Sequence, residues 1–148
     1  MSDTEAVPPP RVGVILVTHT DYGSRLLKAA EFILGEQEGC AAISVDGTHE
    51  VAQTVAALKH AVQDHDEGGG VILLTDMFGG TPTNLSLSLL GSGKLEVVTG
   101  VNLPMLLKVL GSRTLELSQL AGDARAAGCQ GIVVAGEVLR GRIQQRGK

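Results

Sequence analysis

The apolar residues of this chain fall into short dense runs separated by longer, sparser stretches. Val12-Gly-Val-Ile-Leu-Val17 is a continuous run of strand length. It does not alternate apolar with polar positions, so it fits a strand buried on both faces, as in a parallel sheet. Ala42–Val45, Val71–Thr75 and Leu95–Thr99 are three further strand candidates. Between the runs the spacing becomes helical. Leu26, Leu27, Ala30, Ile33 and Leu34 fall on one face, with Gly35 as a natural stop. Val51, Val55, Leu58 and Val62 form a second stripe, which Thr48 is placed to cap. Thr81-Pro82 reads as an N-cap followed by proline at the first helical position, and Asn102 with Pro104 opens a helix running through Leu110. A helix from beyond Leu115 to about Ala127, a short strand over Ile132–Ala135 and a helical tail bearing Val138, Leu139 and Ile143 complete the series.

Strands alternating with helices are the signature of βαβ units. The prediction is one α/β domain over 11–148, a doubly wound sheet. Residues 1–10 form a leader, because Pro8, Pro9 and Pro10 enter neither helix nor central strand.

Composition narrows the function. Aromatic residues are 2% of the chain (Tyr22, Phe32 and Phe78), so the core is built from aliphatic side chains, and the scarcity argues against single-stranded nucleic-acid binding, which needs aromatic stacking platforms. A net charge of -4 also argues against phosphate backbones as partners. Cys40 and Cys129 lack metal or redox spacing and read as small buried apolar residues of a reducing compartment. The acidic, proline-rich start carries no secretory h-region, and no apolar run reaches the ~20 residues of a membrane helix. The expected location is the cytoplasm.

In an open parallel sheet the ligand site lies beyond the carboxyl ends of the strands, where strand order reverses. Thr18, His19, Thr20 and Asp21 follow the first strand; Asp76 and the loop Met77-Phe-Gly-Gly-Thr-Pro82 follow the third. If these strands are neighbours, His19 and Asp76 face each other across the crevice. Imidazole suits reversible phosphoryl transfer because a nitrogen lone pair attacks phosphorus without first losing a proton. A carboxylate on the other ring nitrogen fixes the tautomer and supports the cationic ring after transfer. Asp76 is expected to fill that role, with phosphate oxygens received at Thr18, Gly80, Thr81 and Thr83. The arrangement calls for no metal and no cofactor. His49, His60 and His65 read as solvated; Asp46, which follows the second strand, reads first as a turn residue and second as one that rims the pocket.

The segments Val17-Thr-His19, Leu74-Thr-Asp-Met-Phe-Gly-Gly-Thr-Pro-Thr-Asn84 and Val98-Thr-Gly-Val-Asn-Leu-Pro-Met-Leu107 resemble the signature stretches of the mannose-type IIA components of the bacterial sugar phosphotransferase system. The resemblance implies that His19 takes a phosphoryl group from HPr, on Nε2 of a ring held by Asp76. It also implies transfer to a histidine of a IIB partner, which phosphorylates sugar entering through membrane IIC and IID components. The family fold is a mostly parallel sheet with helices on both faces. Its members are typically homodimers that exchange a C-terminal strand, here expected at Ile132–Ala135 and antiparallel to the rest. Thr20 stands where the family commonly has glycine, and the acidic Asp21 follows it. A regulatory protein whose phosphorylation state controls a partner, without sugar transport, is the alternative reading. A small-ligand binder or hydrolase fits poorly, since the chain lacks a nucleophile elbow and a dinucleotide glycine fingerprint.

Overall fold

The structure of the protein is a computed structural model describing residues 7–146, with side chains through Ile143. Its elements run β1 (Gly13–His19), α1 (Tyr22–Leu34), β2 (Cys40–Val45), α2 (Val51–His65) and β3 (Val71–Thr75). They continue through α3 (Thr81–Leu87), β4 (Leu95–Thr99), α4 (Leu103–Leu110), α5 (Leu117–Gln130) and α6 (Ala135–Arg146). The strands form one sheet in the order β2-β1-β3-β4, and every pairing is parallel. All carboxyl ends therefore emerge along one edge.

The unbroken apolar runs are explained by burial on both faces. Along β1, Val14 and Leu16 point to one side, where they meet Ala30 of α1, Leu106 of α4 and Leu120 of α5. Ile15 and Val17 point to the other, toward Leu58 of α2 and Leu89 beyond α3. β3 repeats the division, with Ile72 and Leu74 on the first side and Val71 and Leu73 on the second. Each such side chain stabilises the fold by about 1.5–3 kcal/mol on burial, so the two central strands hold the layers together.

Arg113 closes the opposite edge of the sheet. It is 5% exposed, and its guanidinium donates to the carbonyls of Val12, Glu38 and Gly39. Burial lowers its pKa, yet three carbonyl acceptors compensate the buried cation.

Several expectations change. Within the single chain Ile132–Ala135 forms no strand: residues 132–134 have no regular structure and Ala135 opens α6. A strand is held by hydrogen bonds to a neighbour, and among the described residues none pairs with this run. In α1 only Leu26, Leu27 and Ala30 reach the core, while Ile33 and Leu34 overhang it and are exposed. α2 begins at Val51 with Glu50 as N-cap, its N–H received by the Gln53 side chain; Thr48 instead bonds Asp46. Cys129 is exposed rather than buried, and Cys40 is half-buried. His65 is half-buried, its ring Nδ1 2.7 Å from the Ala61 carbonyl. Of the expected leader, residues 7–10 are exposed and irregular, and residues 1–6 lie outside the described residues. Among the described residues no helix is long and apolar enough to cross a membrane.

Candidate active site

Strand order reverses between β1 and β3, and the two groups predicted to meet there do meet. His19 ends β1, and Asp76 follows the last residue of β3, Thr75, which pairs with Val17. Asp76 Oδ2 lies 2.7 Å from His19 Nδ1 and accepts the His19 backbone N–H at 2.9 Å. A carboxylate oxygen only accepts, so Nδ1 carries the hydrogen, and in the neutral ring Nε2 is the nitrogen with the lone pair. Burial pushes the Asp76 pKa up, but the hydrogen bonds from the His19 backbone and ring outweigh it and hold the net value below the usual carboxylate range. Oδ1 of Asp76 is buried and unpartnered among the described residues, so Oδ2 alone orients the ring.

The other side of the ring is open. The His19 side chain is 47% exposed and borders a cavity of about 480 Å³. Gly80 faces it there: a Cβ at that position would sit 3.2 Å from Cε1 and 3.4 Å from Nε2. Gly80 has φ 81 and ψ 168, a conformation that side chains strongly disfavour. The glycine thus gives the loop both its turn and its close approach to Nε2. Gly80 is also the N-cap of α3, which moves Thr81 to the first helical position and Pro82 to the second.

The predicted phosphate contacts divide. Gly80 and Thr81 are exposed beside the ring, and Thr81 lines the cavity. Thr18 does not reach it: its buried hydroxyl accepts the Gly23 N–H at 2.7 Å and so satisfies the start of α1. The Thr83 hydroxyl is likewise buried, bonded to Thr75 Oγ1 at 2.7 Å and to the Met77 carbonyl, which leaves only its N–H for a ligand. Asp21 pairs with Arg25 at 3.2 Å and is not among the residues that line the cavity. Asn102 is a scaffold residue, capping α4 through Met105 N–H and donating to the Gly128 carbonyl.

The cavity also holds His49, read from the sequence as solvated, and Asp46, for which the pocket rim is the second reading. Asp46 and His49 line it, together with Ser44 and Thr54. The Thr48 hydroxyl and backbone N–H both donate to Asp46 Oδ1 and lower its pKa. His49 Nδ1 lies 3.0 Å from that same hydroxyl. Short local spacing is the only sequence signal for this cluster, and it reads equally well as a solvated turn.

Known proteins decide the family. The family model for EIIA-man, described as the PTS system fructose IIA component, matches residues 13–127. The chain belongs to this family. It is therefore a component of PTS sugar transport and a phosphotransfer protein of the transferase class. This EIIA-man chain is 31% identical over 130 residues to the fructose-specific EIIA component of Bacillus subtilis (strain 168), covering 86% of this chain and 89% of that one. It is 32% identical over 103 residues to the mannose-specific EIIAB component of Escherichia coli (strain K12); the match covers 69% of this chain but only 32% of that longer one. In structure it is similar to the phosphotransferase system component EIIA of Streptococcus agalactiae, with a TM-score of 0.77 and 28% identity, over 85% of this chain and 98% of that one.

Proposed function

We propose that this EIIA-man chain is a phosphohistidine carrier, taking a phosphoryl group from HPr onto Nε2 of His19 and delivering it to a histidine of a IIB partner. One observation carries the reading: Asp76 occupies Nδ1 while Nε2 stands beside Gly80 at an open cavity. On loading, the Nε2 lone pair forms a bond to phosphorus as the donor's N–P bond breaks, and the donor imidazole leaves with that electron pair. His19 becomes cationic, and its Nδ1–H still points at the Asp76 carboxylate. Delivery is the same exchange in reverse, so the site needs a nucleophile of balanced strength. The N–H groups of Gly80, Thr81 and Thr83 and the Thr81 hydroxyl are the proposed contacts for the phosphoryl oxygens.

A homodimer is part of the same proposal, with residues 132–135 of one copy adding to the sheet of the other. Ile132, Val133 and Val134 are 77%, 64% and 61% exposed, an apolar run that a single chain leaves in water. β2 and β4 each have one unpaired edge among the described residues. Sedimentation equilibrium checks this: a dimer that Val133→Asp dissociates supports the exchange, and a wild-type monomer at micromolar concentration removes it.

The experiment for the carrier role is a reconstituted relay of phosphoenolpyruvate, enzyme I, HPr and a cognate IIB protein. Acid-labile phosphate that reaches IIB only through this chain supports the reading. Loading with no onward transfer to any IIB protein replaces transport with a regulatory role, and no loading at all overturns both.

A further inference from the structure

Thr20, immediately after the phosphoryl-accepting histidine, is the only non-glycine residue with positive φ among the described residues, at 52°. A β-branched side chain in this region is strained, and glycine adopts it freely. The surroundings enforce the conformation from both sides. Its N–H donates to the Val45 carbonyl at 3.0 Å, and its carbonyl lies 3.4 Å from the Thr18 hydroxyl, which donates to it. The backbone groups are therefore occupied. Among the described residues no hydrogen bond engages the Thr20 hydroxyl, and the residue lines the cavity that His19 borders, together with Thr81.

A strained residue that a smaller one would relieve, carrying an unengaged donor in the cavity that the reactive ring borders, points to use of that donor. We propose that the Thr20 hydroxyl is a phosphoryl-contact residue, donating a hydrogen bond to an oxygen of the phosphoryl group on His19 Nε2. The proposal rests on His19 as the acceptor. A tetrahedral phosphoryl group on Nε2 carries charge on three oxygens, and Gly80, Thr81 and Thr83 all approach from the β3–α3 side. Thr20 belongs to the β1–α1 turn and lines the same cavity, so its donor is supplied by a different loop. Asp46, the acidic member of the cavity, has Oδ1 engaged by Thr48 and so is held in its own turn. The position thereby acquires a contact that a glycine cannot make.

The test compares wild type with Thr20→Gly, Thr20→Ala and Thr20→Ser. Each is phosphorylated with phosphoramidate, a small donor that needs no protein partner, and with phospho-HPr. The expected result is loading slowed about 10- to 100-fold in Thr20→Gly and Thr20→Ala, as for loss of one hydrogen bond to a charged group. Thr20→Ser restores it to within about threefold, since it keeps the donor. Thr20→Gly relieves strain, so its thermal midpoint stays at or above that of wild type and slow loading cannot be traced to unfolding. Wild-type rates in the Gly and Ala variants overturn the contact and leave His19 as acceptor; so does a Ser variant as slow as Ala. Wild type that loads from neither donor overturns the contact together with the reading beneath it.

Discussion

A single oxygen of Asp76 receives both the backbone N–H and the ring Nδ1 of His19, at 2.9 Å and 2.7 Å. The carboxylate therefore fixes the end of β1 and the rotation of the imidazole together. Replacing it disturbs position and charge at once. Asp76→Asn is expected to slow loading from phospho-HPr by about 10- to 100-fold, the scale of one charge-assisted hydrogen bond. Stopped-flow transfer between phospho-HPr and the variant checks it, and an unchanged rate removes the role assigned to Asp76.

The same bonds make stability depend on pH. The folded pKa of Asp76 is lowered, because the hydrogen bonds from His19 outweigh the opposing effect of burial. A lowered carboxylate pKa contributes stability above the unfolded value, about 3.9, and loses it as pH falls through the folded value. Urea unfolding of wild type and Asp76→Asn is expected to differ most above pH 5 and to converge toward pH 2. A gap that persists undiminished at pH 2 would place the stabilisation elsewhere.

Gly80→Ala strikes the opposite side of the ring. The new methyl would lie 3.2 Å from His19 Cε1 on a backbone at φ 81 and ψ 168. The expected cost is about 1–3 kcal/mol of stability, with slower loading because the ring must shift from its carboxylate. Thermal melts and loading rates together report it; a variant equal to wild type in both would show that the close approach has no consequence.

Arg113→Met tests the far edge of the sheet. It removes donors to three carbonyls, those of Val12, Glu38 and Gly39. The expected loss is about 3 kcal/mol in chemical denaturation. Loading of the folded fraction should be unchanged, since Arg113 lies at the edge away from His19. A neutral effect would mean that the carbonyls find water at no cost.

β1 and β3 were legible because burial on both faces leaves an unbroken apolar run; β2 and β4, half-buried at the sheet edges, were legible only as shorter apolar segments between helical stretches. The pairing of His19 with Asp76 was legible because parallel strands deliver their following residues to one edge. Other features depend on information that periodicity lacks. Ile33 and Leu34 keep the spacing of the α1 stripe, yet the helix outruns the sheet beneath it. Thr18 and Thr83 have hydroxyls at the right places in the chain, but both are bonded inside the fold. Arg113 resembles any surface arginine until three carbonyls from distant segments surround it. The strain at Thr20 is invisible in composition, and only the glycine that the family carries there hints at the left-handed turn.

The most direct measurement is phosphorus NMR of the protein loaded by phosphoenolpyruvate, enzyme I and HPr, with His19→Ala alongside. The account predicts one phosphohistidine signal, of the Nε2-linked type, that is absent in His19→Ala. An Nδ1-linked signal, or phosphate retained in His19→Ala, would contradict it.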